Sequence, residues 1–356
     1  MRVRSRLSAL LVAVATVSVL TACGQSDDGP QDDVPTVTPA TAERSPAGGP
    51  APTGSIVALP PSATIVAARG DRDAVAVLDE AGRTVRLFAT SPAAEGPDDR
   101  TTVDWTTPPR EIPVPELTAL AADRDGFVGA GPAGIVHLSA TGEISEQAAD
   151  LTGVLSVAAL PDGRTLVGTD RGRLLVFARD GSRQRDIGGW VRVDDITVAP
   201  ETAGDRAGQV VVLDRAQSAV TPVDVDSGEH KAALRAGDGA THSTVDRYGR
   251  VLVSGTRNNE FYAYYGQPIV MRMRAPVPAS PFALAYDSAR NLLWISSTAS
   301  NTAVAYALDS GEAVEKHRIA TVPQVAAMDV DPTSGALLMV SARDGGLQVV
   351  DTAAVS

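Results

Sequence analysis

Cysteine is almost absent: Cys23 is the only one in 356 residues. No internal disulfide can form, so the fold must hold by its core alone. Aromatic residues are scarce, at 4% of the chain, which leaves few platforms for stacking bases or sugar rings. Excess positive charge is missing too. The formal charge is −12, and loss of residues 1–22, which hold three arginines and no acid, takes it to −15. Such a surface repels phosphate backbones, so nucleic acid is not expected among the partners. Long stripes of 3.6-residue period with helix caps are also lacking, which excludes a helical architecture.

What is present begins with a targeting pattern. Arg2, Arg4 and Arg6 precede the uncharged apolar stretch LSALLVAVATVSVL at 7–20. It is shorter than the roughly 20 residues that span a bilayer, so residues 1–22 read as a removable signal peptide. The following LTACG, at 20–24, resembles the lipobox of bacterial lipoprotein precursors. That resemblance implies cleavage between Ala22 and Cys23, a diacylglyceryl group on the Cys23 sulfur and an acyl group on its freed amine. Two or more chains anchor stably where one does not, since each buried CH₂ contributes roughly 0.8 kcal/mol. These covalent lipids are the only non-protein groups expected, with no cofactor. The expected location is the cell envelope, lipid-anchored at the outer face of the cytoplasmic membrane. The plainer alternative is an ordinary secretory signal. Residues 23–54 are rich in Pro, Thr, Ala and Asp and nearly free of large apolar side chains, which predicts a disordered linker.

Beyond the linker a unit recurs seven times, at 65–89, 117–142, 155–181, 196–228, 243–266, 282–311 and 326–351. Each copy has an apolar strand, a turn with Asp, Pro or Gly, a second strand rich in Val and Leu, and two weaker strands. The turn markers Asp125, Asp162, Asp246, Asp287 and Asp331 lie 37, 84, 41 and 44 residues apart, the second gap covering two units. Period-two alternation with Asp-Gly and Ser-Gly turns argues for strands throughout. A repeat of about 40 residues with four strands is a propeller blade. The prediction is an all-β fold: one β-propeller of seven four-stranded blades over residues 55–356. The last copy lacks an outer strand and SIVAL at 55–59 is a spare one, so pairing the two would close the ring. The proline-rich stretch 91–115 is expected to be a long loop within the first blade.

The stretch NTAVAYALDSGEAVEKHRIATVPQVAAMDVDPTSGALLMVS resembles YVTN-type and quinoprotein-like propellers. The segments VLDRAQSAVT, LRAGDGATHSTVDRYGRVLV and ISSTASNTAVAYALDSGEAVEK resemble actinobacterial propeller lipoproteins such as the mycobacterial lipoprotein LppL, over about the last 150 residues. The resemblance implies a fold and a location and names no activity.

In a propeller, ligand groups project from the loops between strands two and three and from the connections between blades. That rule places Asp170, Arg171, Asp214, Arg215, Gln217, Arg257, Asn258, Asn301, Arg343 and Asp344 on one face, joined by Arg235 and His242. Arg215, Arg257, Arg343 and Arg235 around one mouth can hold a carboxylate or phosphate, with His242, Asn258, Asn301 and Asp214 beside them. The plainer reading is solvated turn residues. The four histidines, His137, His230, His242 and His317, fall in different blades, so no metal is assigned. Asn258, Asn301 and Asp214 imitate the cation site of propeller lactonases only loosely. Gly129, Gly131 and Gly134 spell G-x-G-x-x-G, but Pro132 and the following IVHLSATG continue as turn and strand. Phe261, Tyr262, Tyr264 and Tyr265 alternate toward the two faces of a strand, which suits packing between blades. No catalytic set emerges. The expectation is a surface-tethered module that binds a partner protein or an anionic small molecule. An enzyme of the lactonase or quinoprotein-like class is the first alternative, and a structural envelope component the second.

Overall fold

The computed structural model describes residues 35–69, 73–89, 103–343 and 345–355. From Pro35 onward they form one compact unit of seven antiparallel four-stranded sheets. Blade 1 holds β2 (Ser62–Arg69), β3 (Asp73–Asp79), β4 (Thr84–Ala89) and β5 (Arg110–Pro113). Blade 2 holds β6 (Ala119–Asp123) to β9 (Ile144–Ala148), and blade 3 holds β10 (Val154–Ala159) to β13 (Arg183–Ile187). Blade 4 runs from β14 (Asp195–Val198) to β17 (Leu234–Arg235), and blade 5 from β18 (Ala240–Val245) to β21 (Val270–Pro276). Blade 6 runs from β22 (Pro281–Asp287) to β25 (Val314–Ala320). Blade 7 has β26 (Val325–Val330), β27 (Ala336–Ser341) and β28 (Leu347–Asp351), and its fourth strand is β1 (Ser55–Val57) from the other end of the sequence. Ser55 pairs with Val349 and Val57 with Leu347. The seven-bladed ring expected from the repeats is therefore present, and it is closed by pairing the two ends.

The second strand of each blade is apolar on both faces because both faces are covered. In β23 (Leu292–Ser297), Leu293 and Ile295 pack toward blade 5, while Leu292 and Trp294 pack toward blade 7. In β15 (Val210–Asp214), Val210 and Val212 face blade 3, while Val211 and Leu213 face blade 5. Seven such clusters make up the core, one for each blade interface. Each fully buried aliphatic side chain contributes about 1.5–3 kcal/mol. The aromatic run of β20 (Glu260–Tyr265) divides as its period requires: Phe261 joins the interface with blade 6, while Tyr262 and Tyr264 join that with blade 4.

The turn-marking acids lie in the hairpins between strands one and two. Asp246 is fully buried and accepts from the N–H groups of Tyr248 (2.9 Å) and Arg250 (2.8 Å). Asp287 and Asp331 hold their hairpins in the same way. The G-x-G-x-x-G letters fall on β7 (Gly126–Gly131) and β8 (Gly134–Ser139), a hairpin and not a nucleotide loop. The proline-rich stretch is less uniform than expected, since it contains β5, and Trp105 tilts against Phe88 at 5.3 Å.

Closure depends on Gly54, which precedes β1 at φ +81, where an added Cβ would lie 2.3 Å from the Val349 carbonyl oxygen. Gly54→Val should cost about 1–3 kcal/mol through strain and lost pairing, read as a lower urea midpoint. Gly48→Ala, with open space around it, should stay within about 0.5 kcal/mol of wild type.

Candidate functional site

One face of the ring carries the loops between strands two and three, and across it lies a strap formed by residues 37–53. The strap begins over blade 4, where the Val37 N–H donates to the Ala216 carbonyl at 2.7 Å. On blade 5, the Arg257 guanidinium donates to Thr38 O at 2.8 Å. Arg215 of blade 4 donates through Nη2 to Ala40 O. On blade 6, Ser280 Oγ accepts the Glu43 N–H at 3.1 Å, and Asn301 Nδ2 donates to Pro46 O at 3.2 Å. Ser45 is the tightest point. Its N–H donates to Gln324 Oε1 at 3.0 Å, its hydroxyl donates to Thr298 O at 2.8 Å, and Gln324 N donates back to that hydroxyl at 2.7 Å. Arg343 of blade 7 reaches Ser45 O at 3.5 Å. The strap ends where Gln348 Nε2 donates to Thr53 O at 2.7 Å, just before β1.

The expectation of a free linker as far as residue 54 is corrected here: residues 37–53 are docked. Composition misleads because the strap is held by its main chain. Only Ala40 and Ser45 are buried in it, and small side chains leave no hydrophobic signal. Gly239 makes the room: a Cβ there would lie 3.0 Å from Ala40 Cβ and 2.5 Å from Arg257 Cβ.

The loops beneath are strained. Seven described non-glycine residues have positive φ, and six of them, Ser218, Asn259, Ala279, Ser280, Asn301 and Gln324, belong to this face in blades 4 to 7. Left-handed backbone at non-glycine positions persists only where the surroundings enforce it, and such residues gather at ligand clamps.

The predicted site residues therefore divide. Arg215, Arg257, Arg343 and Asn301 come together on the strap, though each donates to a main-chain carbonyl. Arg235 lies at the rim, paired with Asp238 at 2.8 Å and with Gly237 O. Asn258 sits beside the Arg235 rim, its Oδ1 accepting the Asp238 N–H at 2.8 Å. Asp214 is corrected outright. It is fully buried and accepts the N–H groups of Val191, Arg192 and Gln217, bracing the passage from blade 3 to blade 4. Ala22 and Cys23 lie outside the described residues, as does Asp344. Sequence reasoning missed Gln324, Ser280 and Gln348, since single polar residues in loops carry no pattern.

His242 lies below the mouth in the axial channel, a cavity of about 360 Å³ lined by the innermost strands of all seven blades. Its ring stands edge-on to Phe282 at 4.4 Å, and its Nδ1 is buried without a partner. Burial, with Arg215 nearby, pulls the imidazole down to about 3. In the same channel, burial pushes Asp195 above the usual carboxylate range although Ser243 donates to it through both N–H and hydroxyl, each at 2.9 Å. Asp194 is held by Arg192 at 2.8 Å. Burial lowers Arg215 as well, and its Nε has no partner. Among the described residues, no three His, Cys, Asp or Glu side chains converge as a metal site. His230 stacks on Trp190 at 4.2 Å and His137 pairs with Asp123 at 3.4 Å, both away from the channel.

No family model matches the chain, and no curated protein matches it. Solved structures do. Virginiamycin B lyase from Staphylococcus aureus superposes with a TM-score of 0.61 at 12% identity, covering 83% of this chain and 99% of its own. A streptogramin B lyase gives 0.60 at 12% identity, covering 83% and 96%. The hydrazine synthase of Kuenenia stuttgartiensis gives 0.61 at 12% identity, covering 85% and 99%. These likenesses show the fold. They do not extend to the narrower kinship with the mycobacterial lipoprotein.

The channel yields a pH prediction. A histidine depressed in the folded state stays neutral while the unfolded chain takes up a proton below about 6.5. Its contribution to stability is thus complete above that value and is lost as pH falls toward 3. Between pH 7 and pH 4.5 the wild type should lose about 2 kcal/mol relative to His242→Gln, measured by urea unfolding of both proteins at each pH. Parallel pH curves would show that His242 ionises freely in the fold.

Proposed function

We propose that this protein is a lipid-anchored module of the cell envelope, related to the actinobacterial propeller lipoproteins, that binds a partner protein through the face bearing Arg215, Arg257, Arg343 and Asn301. One observation carries the reading: side chains from four separate blades converge on a segment outside the blades and hold its carbonyl oxygens. The donors are spread over Thr38, Ala40, Ser45 and Pro46 and are not trained on one point. That arrangement favours an extended main chain as ligand over an anionic small molecule. Bidentate recognition of a carboxylate would need two guanidinium N–H groups on one acceptor pair.

The enzymatic alternative has its own observation. His242, with an unpartnered Nδ1, and Asp195, raised by burial, share the channel beneath the strap, and perturbed groups in a cleft are a recognised mark of catalysis. Two of the similar structures are lyases, at an identity that carries the fold and not the reaction.

One measurement tests the anchor and a second tests the binding face. Cys23→Ala should shift the protein from the detergent phase to the aqueous phase and abolish labelling by a fatty-acid analogue. A photo-crosslinking residue at Arg171 or Ala342, both exposed on the strap face, should give discrete adducts in intact envelopes. The same residue at Asp162 or Tyr248, in hairpins of the opposite face, should not. Equal adducts from both faces, or none, would overturn the assignment.

A further inference from the structure

We infer that the strap is an exchangeable occupant of a peptide-binding groove, and that the groove takes a proline-flanked extended segment of a partner with small residues five positions apart. This rests on the binding-module reading above. The pattern comes from the strap itself. Pro39 precedes the buried Ala40, and Pro46 follows the buried Ser45. An added Cβ at Gly239 would lie 3.0 Å from the Ala40 Cβ, so the buried Ala40 methyl sits directly against the glycine. Ser45 sits in a slot closed by Gln324 and Thr298. Between these two positions Thr41, Glu43 and Arg44 are exposed, so the groove reads little of their identity.

The donors are suited to this task. Arg257, Arg215, Arg343 and Asn301 address carbonyl oxygens, which every peptide has. Specificity then comes from conformation and from the two narrow slots. Prolines hold a segment extended before it binds, which lowers the ordering cost for any occupant. A permanent brace would be expected to bury large side chains, and the strap buries none.

Residues 46–51 decide how exchange is controlled. All six are exposed, and the half-buried Pro52 and Thr53 lead on from them to β1. The strap is thus joined to the ring through a short exposed link and competes at the high local concentration that a short tether gives. A free peptide at ordinary concentration would not displace it until the strap is cut or drawn off. β1 lies beyond the link, so release of the strap leaves ring closure in place.

The test uses the full mature chain with Cys23→Ser for solubility and a protease site in place of residues 47–50. The probe is a fluorescent synthetic peptide of residues 35–48. After cleavage the strap should leave the ring on gel filtration, and the labelled peptide should bind with saturable anisotropy. Leucine at the Ala40 position of the peptide, or Arg215→Ala or Arg257→Ala in the ring, should weaken binding about tenfold or more. The uncut chain should need at least about a hundredfold more peptide. A cut strap that never leaves or exchanges, a cut ring that loses its cooperative unfolding transition, or equal binding of the leucine peptide would each overturn the inference. Face-selective cross-links that persist without exchange would leave the binding-module reading standing. Exchange without such cross-links would do the reverse.

Discussion

The pairing of β1 with β28 is the constraint on which the rest depends. A blade with two apolar faces cannot be stable alone, and seven of them in an arc would leave two such faces and an open edge in water. Closing the arc completes the fourth strand of blade 7 and adds the seventh blade interface to the other six, without any disulfide. The closing strand comes from the N-terminal side, so whatever precedes it must leave from the rim of blade 7. Gln348 shows the two requirements meeting in one residue. It is fully buried in β28, accepts the Val322 N–H, and donates to Thr53 O at the strap's end.

Energetics explain why the strap can be both ordered and loosely committed. Fixing a residue's backbone costs about 1–2 kcal/mol, while a hydrogen bond exchanged with water returns about 0.5–1.5 kcal/mol, and about 1.5–3 when one partner is charged. With two small side chains buried, the opposing contributions are of similar size. Prolines at 35, 39, 46, 50 and 52 tip the balance by restricting the free segment before it docks. The positive-φ residues beneath act in the same sense on the ring: the loops are already shaped for an occupant, so docking need not reorganise them.

Much of the ring was legible in the sequence, and the reasons are physical. Strands covered on both faces must be apolar throughout, and the hairpins repeat an aspartate, buried at Asp246, Asp287 and Asp331 and exposed at Asp125 and Asp162, so blade count and turn positions follow from composition along the chain. The site was legible only in part. Arg215, Arg257, Arg343 and Asn301 fall together because loop topology alone assigns a face. Asp214 was misread because a carboxylate that braces N–H groups looks the same in sequence as one that binds a ligand. His242 was misplaced for a subtler reason. The pairing of β18 with β19 (Val251–Gly255) shifts register between Ala240 and Ser243, and such an irregularity re-aims the side chain within it, here into the channel. The strap was invisible because main-chain recognition leaves no mark on the residues recognised.

The channel and the strap meet at Arg215, and the local charge balance explains why a carbonyl can hold a buried guanidinium. Asp194 is committed to the Arg192 side chain and to the Arg215 main-chain N–H. Asp195 is committed to Ser243 and to the Ile196 N–H. Had either carboxylate taken the Arg215 guanidinium in a bidentate pair, the side chain would be locked downward and the strap would lose its central donor. With the neighbouring acids engaged elsewhere, the cation is left to neutral acceptors, and a main-chain carbonyl of the strap is one. Burial makes that bond matter more than it would in water, since an unpaired charge in a low-dielectric site is costly. The mouth of the ring is therefore in its best-satisfied state when a main chain lies across it.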